Sequence, residues 1–149
     1  MNQLSRLLPT LILCTSLGHA ESPDWRQQLG EAEVKWHDRG VVDYRMTVKV
    51  NCMYCPVGLP ETHELRVIVS SGSVTAIEKA SVREESLQDY STVPGLFSLI
   101  ELWTTDEPDV VDLSFDPKYG FPRSIRIDPD TSTTDDEVIV EVQAFEAVE

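Results

Sequence analysis

Two groups of side chains in this sequence have residue types and spacing that could do chemistry. Cys52 and Cys55 form a Cys-x-x-Cys motif, and five carboxylates lie between Asp128 and Glu137. Two thiols at that spacing can form a disulfide, carry out thiol–disulfide exchange or ligate a metal. Closely spaced carboxylates supply the oxygen ligands that Ca²⁺ prefers. The compartment and the surrounding elements decide between these chemistries.

The first 20 residues have the features of a secretion signal. Arg6 precedes an apolar stretch from Leu7 to Leu17, which is too short to span a bilayer. Gly18 and Ala20 are small residues at the positions that a signal peptidase reads, so we expect cleavage after Ala20. The sequence therefore predicts an exported protein without a membrane span, either periplasmic or secreted.

Lipid anchoring is the alternative fate of this leader. A lipoprotein signal ends in a cysteine preceded by a small residue, and Cys14 is the only cysteine in the leader. Leu13 precedes it and is large. The sequence therefore favours a cleaved leader over an acylated one.

The acidic balance of the chain excludes several kinds of partner. The sequence has 12 Lys+Arg against 26 Asp+Glu, a net charge of −14. A nucleic-acid partner needs basic patches for its phosphates, and anionic lipid needs them as well. Hydrophobic residues make up 41% of the chain, which is typical of a folded protein. Residues 21–149 have the length of a single domain.

The first half of that domain begins with a predicted helix. Ser22, Pro23 and Asp24 form a helix start, with a capping hydroxyl, a proline at the first helical position and an acid in the first turn. Gly40 is a suitable stop. The residues that repeat on one helical face are Trp25, Leu29, Ala32 and Trp36.

Three strands are predicted to follow this helix. Residues from Val42 to Val50 alternate apolar with polar, which is typical of a strand with one buried face. Residues from Leu65 to Val69 alternate again, Ser71-Gly72 forms a turn, and Val74–Ala80 returns as the second strand of a hairpin. If the far face of this sheet is open, then Arg45, Lys49 and Arg66 point outward from it.

The second half repeats the order of elements. Thr92-Val93-Pro94 starts a helix that Glu107-Pro108 ends, and alternating strands follow at Val111–Phe115, around Ile125 and at Val138–Phe145. The order αβββ-αβββ predicts an α+β fold with two helices and a mostly antiparallel sheet in a single domain. The repeated order also suggests an internal duplication.

The second half contains a motif that resembles a known family. Tyr119-Gly120-Phe121-Pro122 is followed by Ile125, by Ile127-Asp128 and by Asp135-Asp136-Glu137 before a valine-rich strand. This pattern resembles the bacterial exported family called domain of unknown function 6174, over about residues 24–146. The resemblance implies an exported or lipid-anchored protein, and it supplies no activity and no catalytic residues.

The cysteine motif is interpreted as a structural disulfide. Once the leader is removed, Cys52 and Cys55 are the only two cysteines, and an oxidising compartment favours their pairing. A redox motif needs a helix N-terminus, which Pro56 disfavours. The other alternative is a zinc site completed by His37 and His63, although the spacing of these histidines matches no zinc pattern.

The acidic loop allows a metal site but favours a solvated turn. Its carboxylates could bind Ca²⁺, but the EF-hand pattern fails because Thr133 stands where glycine is needed. Asp and Thr in such loops usually bond to nearby backbone. The candidate ligands are Asp128, Asp130, Asp135, Asp136 and Glu137.

These observations favour a non-catalytic function. The sequence contains no G-x-S-x-G or H-E-x-x-H motif, so a hydrolase is not favoured. We expect an exported binding or interaction module whose partner is an envelope or extracellular protein. The alternatives are a thiol–disulfide redox protein that uses Cys52 and Cys55, and a Ca²⁺-dependent module that uses residues 128–137.

Overall fold

The computed structural model describes residues 24–52, 62–78 and 89–148, without the side chains of residues 52, 62 and 63. This part of the chain contains two helices, α1 (Trp25–Arg39) and α2 (Val93–Trp103). It also contains six strands, which are β1 (Tyr44–Cys52), β2 (Thr62–Ser70), β3 (Ser73–Glu78), β4 (Val110–Phe115), β5 (Pro122–Asp128) and β6 (Val138–Ala147).

The six strands form one sheet in the order β3-β2-β1-β6-β5-β4, and every neighbouring pair is antiparallel. Both helices pack on the same face of this sheet. The predicted α+β fold and the order αβββ-αβββ are therefore confirmed. The pairing of β1 with β6 joins the two halves of the chain.

Alternation along β1 separates a buried face from an open face. Tyr44, Met46, Val48 and Val50 are at most 2% exposed and form the centre of the core. Arg45 and its alternate neighbours point to the other face, as predicted. The strand begins at Tyr44 rather than at Val42, which is 51% exposed and whose carbonyl accepts a hydrogen bond from the N–H of Gly72.

Helix α1 buries the predicted face but has a different cap. Leu29, Ala32 and Trp36 are buried, and Gly40 ends the helix with a positive φ of 60°. The predicted cap at Ser22 is wrong. Asp24 is the N-cap, since its Oδ1 accepts a hydrogen bond from the N–H of Arg26 at 3.2 Å.

Helix α2 begins as predicted and ends earlier than predicted. Thr92 is the N-cap, and its hydroxyl oxygen accepts a hydrogen bond from the N–H of Gly95 at 3.0 Å. The helix ends at Trp103, four residues before the predicted stop at Glu107. The Thr104 hydroxyl donates to the carbonyl of Ile100 at 2.7 Å, so a side chain satisfies that carbonyl at the end of the helix.

The connection between β4 and β5 (residues 116–121) is a tight turn held by one carboxylate. Asp116 Oδ1 accepts from the N–H groups of Lys118 and Tyr119 at 2.9 and 2.7 Å. The backbone N–H of Asp116 donates to the carbonyl of Phe121, and the N–H of Gly120 donates to the carbonyl of Asp116. These bonds fix the residues that carry the family resemblance.

The same connection lies against α1. Arg39 Nε donates to the carbonyl of Lys118 at 2.9 Å, and Lys35 Nζ donates to the carbonyl of Pro117 at 3.4 Å. An ideal Cβ on Gly120 would lie 2.5 Å from the carbonyl oxygen of Ala32. Only a glycine allows the two backbones to come this close.

An aromatic cluster packs around Phe145 of β6. Its ring centroid lies 4.3 Å from that of Phe121, 5.3 Å from Tyr44, 5.4 Å from Tyr119 and 5.9 Å from Trp36. The cluster therefore joins α1, β1, β6 and the β4–β5 connection. Such ring pairs add stability beyond the area that they bury.

The two halves share an element order but no rotation superposes them. A duplication would make β1, β2 and β3 equivalent to β4, β5 and β6. The two sets follow each other in the same order across the sheet, β3-β2-β1 and then β6-β5-β4, but each strand is antiparallel to its equivalent. A rotation that satisfied both conditions would place the two helices on opposite faces. Tyr44 contacts both Trp36 of α1 and Val93 of α2, so the helices share one face. The expected duplication is not supported.

Substitution of Gly120 by alanine is expected to destabilise the protein. The new Cβ would meet the Ala32 carbonyl, and φ is +87°, which strains any residue with a side chain. We expect a loss of about 2–3 kcal/mol in the free energy of unfolding, measured by urea denaturation. Gly30→Ala is the matched control, because Gly30 is an exposed residue of α1 with open space around it. It is expected to stabilise the protein by about 1 kcal/mol. Equal effects of the two variants would contradict this account.

Alkaline pH is expected to unfold the protein through two buried tyrosines. Burial raises the pKa of Tyr44, although a hydrogen bond from the Val93 N–H offsets part of that rise. Burial and the nearby charge of Asp89 raise the pKa of Tyr90 to about 12. A tyrosine in the unfolded chain ionises at pH ~10. The contribution of the two buried, neutral tyrosines to the free energy of unfolding is therefore complete below that pH, and it is lost as the pH rises toward about 12.

The measurement is the free energy of unfolding between these pH values, with tyrosinate absorbance followed in parallel. In Tyr90→Phe the fall in stability across this window should be smaller than in the parent. A parent whose stability does not change across the window would refute the prediction.

Candidate functional site

The structure places only part of the cysteine motif. Cys52 is the last residue of β1, where its backbone pairs with Val138 of β6. Cys55 and the side chain of Cys52 lie outside the described residues, so the predicted disulfide stays a prediction.

The histidines of the alternative zinc site are separated along β1. His37 lines a pocket with Tyr44, the first residue of β1, and its side chain is 92% exposed. The nine residues of β1 span about 26 Å, so His37 and Cys52 lie near opposite ends of the strand. The backbone of His63 pairs with Val50, and its side chain lies outside the described residues. The structure does not bring His37 to the cysteine motif.

The acidic loop binds its own backbone and hydroxyls. Asp130 Oδ1 accepts from the N–H and the hydroxyl of Ser132 at 2.9 and 2.6 Å, and Oδ2 accepts from the Thr133 hydroxyl at 3.1 Å. These hydrogen bonds lower the pKa of the Asp130 carboxyl, which is fully exposed. Asp109, the residue before β4, also binds the loop, since its Oδ2 accepts from the N–H and the hydroxyl of Thr131, both at 3.0 Å.

The other candidate calcium ligands are not gathered around a common point. Glu137 Oε2 accepts two hydrogen bonds from Arg126, at 3.1 and 3.2 Å. Asp128 lies at the end of β5, and its Oδ1 is buried without a hydrogen-bond partner among the described residues. Asp135 and Asp136 follow in the loop. In the described ranges no three His, Cys, Asp or Glu side chains form a group that could hold a metal ion.

The open face of the sheet carries a groove that crosses four strands. Cross-strand pairing places Thr47 between Arg66 and Ala144, and Arg45 between Ile68 and Glu146. The cavity over these rows measures about 490 Å³, within the range of ligand sites. We call it the open-face groove. Its side chains on this face come from Arg45, Thr47, Arg66, Ile68, Glu78, Ala144 and Glu146.

The groove has an uncharged floor and a charged rim. Thr47, Ile68 and Ala144 form the floor, and two arginines flank it with acids on their far sides. Arg45 Nη1 lies 3.8 Å from Glu146 Oε2, and these side chains are 60% and 70% exposed. Exposed ion pairs at this distance contribute little, about 0–1 kcal/mol, so a partner's charges can replace them at small cost.

A second cavity lies at the end of the sheet where β1 begins. It measures about 390 Å³, and its lining is mainly apolar and includes Trp36, Val42, Tyr44 and Pro94. The Tyr44 hydroxyl oxygen accepts a hydrogen bond from the Val93 N–H at 3.0 Å, which fixes the ring at the start of α2. This cavity is an apolar pocket without a charged pair.

Neither cavity could be read from the sequence. The outward direction of Arg45 and Arg66 follows from alternation, and it was predicted. The groove also needs the register between β1 and its two neighbours, which places Ala144 beside Thr47. An extra residue in β6 sets that register, because Thr47 pairs with Ala144 while Val48 pairs with Val142. No local sequence pattern predicts this bulge.

Two helices on one face of a six-stranded antiparallel sheet define an α+β protein with a single open sheet. Residues 28–147 match the family of unknown function DUF6174, so the chain belongs to that family. No curated protein and no solved structure matches the chain. Neither of the two described helices has the length and apolar content that crossing a membrane requires.

Proposed function

We propose that the protein is an exported, non-catalytic binding module, and that its open-face groove receives a segment of an envelope or extracellular protein. The observation that supports the proposal is the groove itself. An uncharged floor of three side chains lies between two arginines whose ion pairs are exposed and easily exchanged. A protein segment with a small apolar side chain and flanking charges fits such a surface.

The proposal includes export and a disulfide between Cys52 and Cys55. The apolar leader from Leu7 to Leu17 and the small residues before Glu21 support export. The bridge would fix the chain as it leaves β1, which ends at Cys52. Asp130 is engaged by its own loop, and the part of the chain that the structure describes offers no observation that favours the redox or Ca²⁺ alternatives.

Thr47→Arg is expected to abolish partner binding, because the long side chain would fill the floor of the open-face groove. Parent and variant would be expressed with an affinity tag and cross-linked in the cells of origin. Proteins bound from the envelope fraction would then be identified by mass spectrometry. We expect one protein enriched by the parent and lost in Thr47→Arg.

Ser98→Arg is the matched control for this experiment. It adds the same charge at an exposed position of α2, which packs on the opposite face of the sheet. This variant should recover the same protein as the parent, and all three proteins should melt at similar temperatures. Failure of the parent to enrich any protein, or equal enrichment by Thr47→Arg, would reject the groove as the binding site.

Intact mass spectrometry tests export and the disulfide together. We expect the purified protein to begin at Glu21 and to be lighter by two hydrogen atoms than the fully reduced chain. Alkylation should label both cysteines only after reduction. An uncleaved chain in the cytosol with two reactive thiols would refute this part of the proposal, and a lipid mass on Cys14 would replace secretion by anchoring.

A further inference from the structure

The outer edge of β4 is a separate surface with the geometry to bind another chain. In the described sheet β4 is the last strand and pairs only with β5. Pro122 faces Phe115, and Pro129 follows Asp128, the partner of Val110. Because proline has no N–H, the residues of β4 that hydrogen-bond to β5 are Val110, Asp112 and Ser114. Backbone groups of successive strand residues point to opposite edges. Val111, Leu113 and Phe115 therefore direct their N–H and C=O groups to the outer edge.

This edge lacks the features that block strand pairing. Proteins protect edge strands with prolines, lysines or bulges. Strand β4 contains no proline and no lysine, and the extra residue in its pair with β5 is Arg123, on the β5 side. The opposite edge of the sheet is different. In β3 the residue Thr75 is extra between Val74 and Ala76, so that edge is bulged. Of the two described edges, β4 is the regular one.

The apolar side chains of β4 are incompletely covered. Val111 and Leu113 point to the helix side and are half-buried, while Val48 and Leu65 of the central strands are 0% exposed. A strand added beside β4 would cover this remaining apolar surface. Burial of that surface and new backbone hydrogen bonds are the two interactions that drive strand addition.

The negative charge in and around β4 favours a partner strand that carries basic residues. The sequence has no Lys, Arg or His between Arg83 and Lys118, while Asp109, Asp112 and Asp116 lie in β4 or next to it. Asp112 is exposed on the open face. Its cross-strand neighbour Arg126 donates instead to Glu137, at 3.1 and 3.2 Å. A partner strand with a basic residue beside Asp112 is therefore complementary to this edge.

We propose that the outer edge of β4 binds, by strand addition, an extended segment of another protein in which basic and apolar residues alternate. Apolar side chains of that segment would lie beside Val111 and Leu113, and a Lys or Arg would lie beside Asp112. This site is distinct from the open-face groove, which β3, β2, β1 and β6 form. It therefore goes beyond the proposed function.

Synthetic peptides of about eight residues test the proposal. The probe is a fluorescent peptide of alternating Lys and Val, whose binding is followed by anisotropy at low and moderate salt. Two controls are the same peptide with alternate backbone nitrogens methylated, and a peptide of alternating Glu and Val. Each control is expected to bind at least about tenfold more weakly. Absence of binding by the Lys/Val peptide, or equal binding by the methylated one, would overturn the proposal.

Variants of β4 locate the binding. Leu113→Pro removes an outward N–H without removing a hydrogen bond to β5, so the sheet should persist while peptide affinity falls about tenfold relative to Leu113→Ala. Leu113→Ala loses the same side chain but keeps the N–H, so it is the matched reference for that comparison. Asp112→Asn should weaken binding and flatten its salt dependence. Thr47→Arg in the open-face groove should leave peptide binding unchanged, and loss of binding in that variant alone would overturn the edge site.

Amide hydrogen exchange on the parent protein covers the case in which Leu113→Pro does not fold. Saturating Lys/Val peptide should slow the exchange of the Val111, Leu113 and Phe115 amides, because each would gain a hydrogen-bond partner. The amides of β3 serve as the internal control, and they should be unaffected. Unchanged exchange at β4 under saturation would reject strand addition whatever the variants show.

Discussion

The pairing of β1 with β6 holds this fold together. Strand β1 is hydrogen-bonded on both edges and buried on one face, so it lies at the centre of the sheet. Tyr44, its first residue, contacts the ring of Trp36 in α1, stacks on Phe145 of β6 and accepts the N–H of Val93 at the start of α2. Through this pair of strands, both helices and both halves of the chain share one core. The open-face groove exists because the same pairing brings Thr47 beside Ala144.

Local patterns predicted the types of the elements and the faces that they bury. Alternation from Tyr44 to Val50 is a property of adjacent residues, and so is the repeat of Leu29, Ala32 and Trp36 on one helical face. Helix ends were less accurate, since caps depend on single hydrogen bonds. The Asp24 carboxylate replaced Ser22 as a cap, and the Thr104 hydroxyl ended α2 early. Strand order could not be predicted, because nothing local links β1 to a strand about a hundred residues later.

The family motif has a structural explanation. Tyr119 and Phe121 belong to the aromatic cluster, and Gly120 allows the β4–β5 connection to touch the backbone of α1. Asp116 holds that connection in shape. A motif of this kind identifies a shared fold and says nothing about a shared ligand. The two proposed binding surfaces lie elsewhere, on the open face and along the outer edge of β4.

The central place of β1 also affects how the chain acquires its structure. Of the described strands, β1 is synthesised first and β6 last. One long edge of β1 therefore stays unpaired until the sheet is almost complete. A nascent chain in that state exposes a row of valines beside an unpaired backbone, which favours aggregation. Folding should therefore be slow and concerted, with little stable structure before the final strand arrives.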